Sequence, residues 1–360
     1  MISRFDPIAE ACRIEVPDAY RRPIAIVGAG AIVDVAHLPA YRAAGLEVAG
    51  IHDHHPGRAT EVARRHGVPR VYETLEDVLA DGRVEVVDVA VTAAAQPEIV
   101  RRVLETGRHV LAQKPFAPDP ATGQALVDLA ESRGLVLVVN QQLRYDEGMA
   151  AAHRMVELGW IGDVTAMSIT VNIWTEWSAW PWMLDVPRLE VMVHSIHYHD
   201  VVRWFLGEPS LVFSTGGRTP GQAPVGETRT ITTCAYPSGA VSVVHANHEN
   251  GQGDNLAAFR IDGSAGAIRG TLGLLYDYPS GRPDTLEVNS SVLPTDGWVP
   301  YPVASRWVPD AFLGPMASVL RAIAIGSTPR SSGRDNLGTL RQIERIYASM
   351  DTGTAIKGPA

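Results

Sequence analysis

The chain reads as an α/β protein: an N-terminal Rossmann-type doubly wound parallel sheet, then a C-terminal α/β domain with a large, mostly antiparallel sheet. Three observations predict this. The run Ile24-Ala25-Ile26-Val27-Gly28-Ala29-Gly30-Ala31-Ile32-Val33 joins a short apolar strand to a glycine-rich turn. From Ile24 to about Tyr145, strand-like runs alternate with helical patterns, the rhythm that builds a parallel sheet. Past Tyr145 many strands separated by short turns take over, as in an antiparallel sheet with one open face.

A length of 360 residues exceeds one ordinary core and suits two domains. We divide the chain into an irregular leader (1–22), a dinucleotide-binding domain (23–145) and a substrate-binding and oligomerisation domain (146–360). The last helices are expected to pack back on the first domain. Hydrophobic residues make up 46% and charged residues 20%, a soluble globular composition. No run approaches the ~18 apolar residues of a membrane span. The leader mixes Arg4, Asp6, Glu10, Arg13, Glu15 and Asp18 with short apolar pieces and lacks the apolar core of a signal peptide. Two distant cysteines, Cys12 and Cys234, fit a reducing cytoplasm. A net charge of −9 without any basic cluster argues against a nucleic-acid surface.

Each element follows from local signals. Ile24 to Val27 is apolar throughout, as a strand buried on both faces requires. Gly28 permits the tight turn, and Gly30 has no side chain to hold a pyrophosphate away from the amides that open the next helix, Ala31 and Ile32 among them. Leu46 to His52 reads as the second strand, with Asp53 at its end. A carboxylate there accepts hydrogen bonds from both ribose hydroxyls and repels a 2′-phosphate, so NAD is favoured over NADP. His54 beside it softens that discrimination when charged. Val33 replaces the third glycine of the usual pattern, which implies slightly wider helix packing.

Val84 to Val91 is the third strand, and Glu98 to Thr106 a helix closed by Gly107. His109 to Ala112 is the fourth strand. A helix from Gln124 to Arg133, with Gly134 as its cap, leads to a strand at Leu135 to Asn140. Beyond Tyr145, a helix from Met149 to Leu158 precedes strands at Val164–Ile173, Leu211–Gly216, Thr228–Tyr236, Ala240–Asn247, Leu256–Gly263, Ala267–Leu272 and Thr285–Ser290. Helical periodicity returns from Ala311 to Met350, broken at Gly326 to Gly333.

Several motifs in order then resemble the Gfo/Idh/MocA oxidoreductases, the glucose-fructose oxidoreductase and inositol dehydrogenase family. These are His37-Leu38-Pro39-Ala40, Asp53-His54-His55-Pro56-Gly57-Arg58-Ala59, and Gly107-Arg108-His109-Val110-Leu111-Ala112-Gln113-Lys114-Pro115. Leu143-Arg144-Tyr145 is similar to the arginine-aromatic pair at the domain crossover, and Ile196-His197-Tyr198-His199-Asp200 to the family's active-site helix. The resemblance implies that Thr92 and Gln113 join Gly28, Gly30, Ala31, Ile32, Asp53 and His54 in contacting the cofactor. Three departures stand out. Val193 occupies the place of the family's aspartate, which implies either that His194 next to it substitutes or that the substrate differs. Gln113 replaces a glutamate, and Thr92-Ala93-Ala94-Ala95-Gln96 replaces a Thr-Pro-x-x-x-His loop.

The chemistry gives separate reasons for two residues. Oxidising an alcohol needs a hydride acceptor, a group that takes the hydroxyl proton and a donor on the reacting oxygen. Lys114 stands at the carboxyl end of a strand, where its ammonium could hold that oxygen. His197 is the natural general base, because imidazole changes charge near neutral pH. The substrate oxygen is then expected between the two.

Trp174, Trp177, Trp180 and Trp182 crowd one segment. They suit either stacking on sugar rings or a hydrophobic plug at an interface. His194, His197, His199, His245 and His248 invite a metal, yet no Cys or tight His-Glu motif completes a set, and none is expected. His245-Ala246-Asn247-His248-Glu249-Asn250 lies at a strand end and supplies substrate hydrogen bonds or an ordinary polar turn. The resulting reading is an NAD-dependent dehydrogenase for a secondary hydroxyl of a sugar, inositol or related polyol, with His194, Arg144, Trp174, Trp177 and Trp180 binding substrate. Two alternatives are a lyase or epimerase with internally recycled NAD, and a non-enzymatic sensor of NAD or a sugar. The open sheet face implies a homodimer or homotetramer.

Overall fold

The computed structural model describes residues 5–251, 254–293 and 295–358. The leader is not irregular throughout. Asp6–Cys12 forms a short helix, α1, with Pro7 in its first turn and Ile8 fully buried. Packing rather than periodicity makes it: α1 lies on a later helix, and Phe5 meets the rings of Trp160 and Tyr301.

Ile24–Val27, buried at every position, is β1 of a five-stranded sheet. The other strands are β2 (Val48–His52), β3 (Val86–Val89), β4 (His109–Ala112) and β5 (Leu137–Val139). Their order is β2-β1-β3-β4-β5 and every pairing is parallel. The chain runs from β1 to β2 on one side and returns to β3 on the other. That reversal places a binding crevice at the carboxyl ends of β1 and β3.

The helices between these strands start earlier than periodicity alone predicts. After α2 (Leu38–Ala43), α3 (Pro56–His66) and α4 (Leu75–Ala80), α5 spans Gln96–Glu105, because Pro97 fits the first turn, where its missing N–H costs nothing. The next helix, α6 (Pro120–Ser132), begins at a proline for the same reason, and Asp119 caps it by accepting the Thr122 N–H at 2.8 Å.

The chain divides into two compact units. One holds Ile14–Tyr145 and Val308–Leu340, the other Met1–Arg13, Asp146–Trp307 and Arg341–Ala360. Within the first unit, α9 (Leu313–Ile325) packs on β4 and β5. Leu337 and Leu340, at the start of α10 (Gly333–Thr352), join Phe116, Leu126 and Val127 in its core.

The second unit begins with α7 (Glu147–Glu157) and β6 (Val164–Asn172); α8 (Ile196–Leu206) follows. Seven more strands belong to the same sheet: β7 (Leu211–Gly217), β8 (Arg229–Ala235), β9 (Val241–Asn247), β10 (Leu256–Gly263), β11 (Gly266–Thr271), β12 (Leu286–Ser290) and β13 (Val299–Tyr301). With β14 (Ile356–Lys357) they make nine strands in the order β13-β12-β11-β10-β6-β9-β8-β7-β14. Only β6 and β9 pair in parallel. The strands β13 and β14 were not expected, since two or three residues cannot display a period. Along β7, β8 and β9 burial alternates, so one face of this sheet is exposed. No helix among the described residues is long and apolar enough to cross a membrane.

Candidate active site

The first unit builds a nucleotide cradle from the ends of β1 and β2. Gly28 adopts φ +106°, and a Cβ there would lie 2.2 Å from the Ala90 carbonyl oxygen, so only glycine fits. Gly30 is different: a Cβ would meet nothing within 4 Å. That open space above the turn is what a pyrophosphate needs to reach the amides of Ala31 and Ile32. Asp53, buried at the end of β2, accepts the Ala29 N–H at 2.7 Å with Oδ2 and the His55 N–H at 2.8 Å with Oδ1. Each carboxylate oxygen keeps a lone pair for a ribose hydroxyl. His54 Nδ1 lies 3.3 Å and Arg58 3.8 Å from the same carboxylate. These residues fit a dinucleotide.

Lys114 follows β4 by two residues. It keeps some exposed surface, yet the surrounding protein pushes its ammonium down to about 8, with burial as the cause. The chain on either side of it is clamped. Gln113 Oε1 accepts the Lys114 N–H at 2.8 Å. The Gln96 amide donates to the Gln113 carbonyl and, at 2.8 Å, to that of Pro115. Gln96, the last residue of the Thr92–Gln96 segment that departs from the family loop, thus holds the backbone on both sides of Lys114. Thr92 is exposed, and its carbonyl accepts the Ala95 and Gln96 N–H groups that open α5. The Arg144 guanidinium is buried and committed to the Arg330 carbonyl and to Asp335, each at 2.8 Å.

In the second unit, His194 and His197 do not share one regular helix. Glu190–His194 forms a wide turn in which the Ser195 N–H donates to the Glu190 carbonyl, and α8 starts only at Ile196. The three-residue spacing therefore does not set their relative direction. His194 instead lies tilted against His248, centroids 4.3 Å apart, with Trp177 at 5.8 Å. His197, mostly buried, meets Trp307 edge-on at 5.7 Å. Burial pushes His199 down to about 3, so it is a neutral core residue. Val193 enters a small apolar core with Trp177, Met183 and Leu189, against which Trp180 packs. The Trp177 N–H donates to Glu249 Oε1 at 2.7 Å, whereas Trp174 is half exposed. Among the described residues, no group of three His, Cys, Asp or Glu side chains is arranged to hold a metal ion.

Sequence reasoning missed Glu190 and named His37 only within a motif, whereas His248 was already a candidate for substrate hydrogen bonds. Glu190 is wholly buried; its Oε2 accepts the hydroxyls of Ser195, at 3.0 Å, and Thr230. Its Oε1 sits 3.8 Å from His248 Nε2, and neither atom has a hydrogen-bond partner. Nothing local in the sequence announces such a pair. One compositional signal was available for Lys114: lysine occurs only there and at Lys357, arginine supplying every other side-chain cation except histidine. Lysine, unlike arginine, shifts its pKa readily when buried.

The parallel sheet, its glycine turn and the acid after β2 define a Rossmann protein of the nucleotide-binding class. Residues 22–141 match the oxidoreductase family with an NAD-binding Rossmann fold, and residues 149–269 match the GFO/IDH/MocA C-terminal domain. The chain belongs to the GFO/IDH/MocA oxidoreductase family. It is 27% identical over 332 residues to the D-apiose dehydrogenase of Paraburkholderia graminis, covering 89% of this chain and 86% of that one. It is 26% identical over 342 residues to D-xylose 1-dehydrogenase (NADP(+)) 2 of Haloferax volcanii, covering 92% and 98%. A solved oxidoreductase from Agrobacterium radiobacter, in complex with NAD+, L-tartaric acid and magnesium, superposes with a TM-score of 0.82 at 23% identity, over 94% of this chain and 98% of that one.

Proposed function

We propose that this protein is an NAD-dependent dehydrogenase that oxidises a secondary hydroxyl of a sugar, inositol or related polyol. The observation that carries the reading is Lys114: a lysine clamped through its backbone at the carboxyl end of a central parallel strand, its ammonium held at about 8 by burial. The names of the relatives, an apiose and a xylose dehydrogenase, support a carbohydrate substrate. Bound NAD supplies the hydride acceptor. Lys114 donates to the substrate oxygen and stabilises the alkoxide as the proton leaves. His197 takes that proton. His194, Trp174, Trp177 and Trp180 orient the substrate, with Arg144 fixing the backbone ahead of Asp146. Gly28, Gly30, Ala31, Ile32, Asp53, His54, Thr92 and Gln113 hold the cofactor, and Asp53 selects NAD over NADP. The exposed sheet face, with Phe213, Ile231, Val241 and Val243 each at least 38% exposed, joins copies of the chain into a dimer or tetramer.

The test is NADH absorbance with purified protein, NAD or NADP in turn, and a panel of inositols, aldoses, sugar acids and glycosides. NADH formation lost in Lys114→Ala is the expected result. A flat trace across the panel, with NAD found bound to the protein, would overturn net oxidation in favour of internally recycled cofactor.

A further inference from the structure

The run His37-Leu38-Pro39-Ala40 has no part in the reaction described above, yet the His37 side chain is held from several sides. From Val33 to His37 the backbone makes a wide turn, the Leu38 N–H donating to the Val33 carbonyl, before α2 resumes. The turn delivers the imidazole to a fully buried position. His37 Nδ1 lies 2.6 Å from Oδ2 of Asp88, a fully buried carboxylate on β3. The same oxygen accepts the Tyr41 hydroxyl at 2.7 Å. With Nδ1–H donating to a carboxylate, Nε2 is the ring's acceptor.

Two amide nitrogens face that acceptor, Asn140 Nδ2 at 3.3 Å and Gln113 Nε2 at 3.4 Å. The Gln113 amide is oriented from its other end. Its oxygen takes the Lys114 N–H at 2.8 Å, which turns its nitrogen toward His37. A continuous chain of hydrogen bonds thus runs from Asp88 through His37 and Gln113 to the backbone of Lys114.

We propose that His37, anchored by Asp88, is a positioning residue for Lys114 and acts through the Gln113 side chain. The proposal rests on the reading of Lys114 as the group that holds the reacting oxygen. It also accounts for the departure at 113. A glutamate there accepts only, so it would demand a proton on Nε2 and leave a buried imidazolium between two carboxylates. Glutamine donates to Nε2 and avoids that cost. The groups facing His37 are Asp88 from β3, Tyr41 from α2, Gln113, Asn140 and the Phe312 ring at 5.1 Å.

The scarcity of lysine makes the test direct. Isotope labelling of lysine ε-carbons gives two resonances, from Lys114 and Lys357, and Lys357→Arg assigns them. In the full-length protein with NAD added, the Lys114 resonance titrates near 8. His37→Leu loosens the lysine and moves its midpoint upward, toward the 10.5 of ordinary lysine, by ~0.5 unit or more. Gln113→Ala does the same, and the double variant goes no further, because both cut one chain. His37→Gln, whose amide donates to Asp88 and accepts from Gln113, restores the wild-type midpoint. The proposal is overturned by an unchanged Lys114 titration in folded His37→Leu and Gln113→Ala, or by shifts that simply add. If His37→Leu does not fold, His37→Asn decides in its place, since it keeps a polar side chain toward Asp88 but is too short to reach Gln113, which stays intact. Turnover by Lys114→Ala decides the separate question of oxygen binding: retained activity removes that reading while the titration still tests the positioning.

Discussion

Asp53 Oδ2 accepts the backbone N–H of Ala29 at 2.7 Å, so the acid that ends β2 is tied directly into the glycine turn that follows β1. The end of β2 and the glycine turn are thereby joined into one piece.

Asp53→Ala removes the ribose acceptor and loosens the turn together. Charged hydrogen bonds of this kind contribute ~1.5–3 kcal/mol, which corresponds to a ~10–100-fold rise in KM for NAD. NADP suffers less, because the charge that repels its 2′-phosphate goes too. An NAD-to-NADP ratio unchanged by the substitution would refute selection by Asp53.

Gly28 and Gly30 separate folding from cofactor binding. Gly28→Ala drives a methyl into the Ala90 carbonyl at a positive φ and costs ~1–3 kcal/mol or more, visible as a lower melting temperature. Gly30→Ala meets no protein atom, so its melting temperature stays within ~2 °C of wild type. Its methyl fills the space for the pyrophosphate, and NAD binding weakens. Equal NAD affinity in Gly30→Ala and wild type would mean that the phosphates lie elsewhere.

Burial of the Lys114 ammonium costs stability. Its ammonium is held down at about 8 against an ordinary 10.5, so the folded state binds fewer protons than the unfolded chain between those values. The burial penalty is therefore full below about 8 and fades as pH rises toward 10.5. Lys114→Met is expected to melt above wild type near neutral pH, with the gap closing in alkali, while turnover falls by ~100-fold or more. A methionine variant that melts lower at neutral pH would show that the lysine stabilises the fold.

Glu190 carries the opposite sign. Burial pushes its carboxyl up from 4.5 to about 8, so its stabilising proton is lost as pH rises through about 8. His248, held at about 4, ceases to contribute above 6.5, which isolates the glutamate between 6.5 and about 8. Across that window wild type should lose ~2 °C or more relative to Glu190→Gln, which has no proton to lose. Parallel melting curves for the two proteins would show that Glu190 is already ionised.

Legibility in the sequence tracked the range of the interaction. Gly28, Gly30 and Asp53 were readable because a strand, a turn and a second strand prescribe their places. Lys114 followed from its position after β4. His37 was noticed only as a motif, because its partners Asp88, Gln113 and Asn140 lie on three other segments. His194 and His197, three residues apart, do not lie on one regular helix, because a wide turn ends at His194 and α8 starts only at Ile196.

By itself, the sequence determined the two kinds of sheet, the order of their strands along the chain and the cradle built from adjacent segments. Those features depend on side-chain alternation, apolar runs and the backbone freedom of glycine, all of which act over a few residues. Only the tertiary structure decided that α1 forms, that Trp177 is buried on Glu249, and that His194 meets His248. Each of these depends on which distant atoms remove a group from water, and burial of that kind has no local period to read.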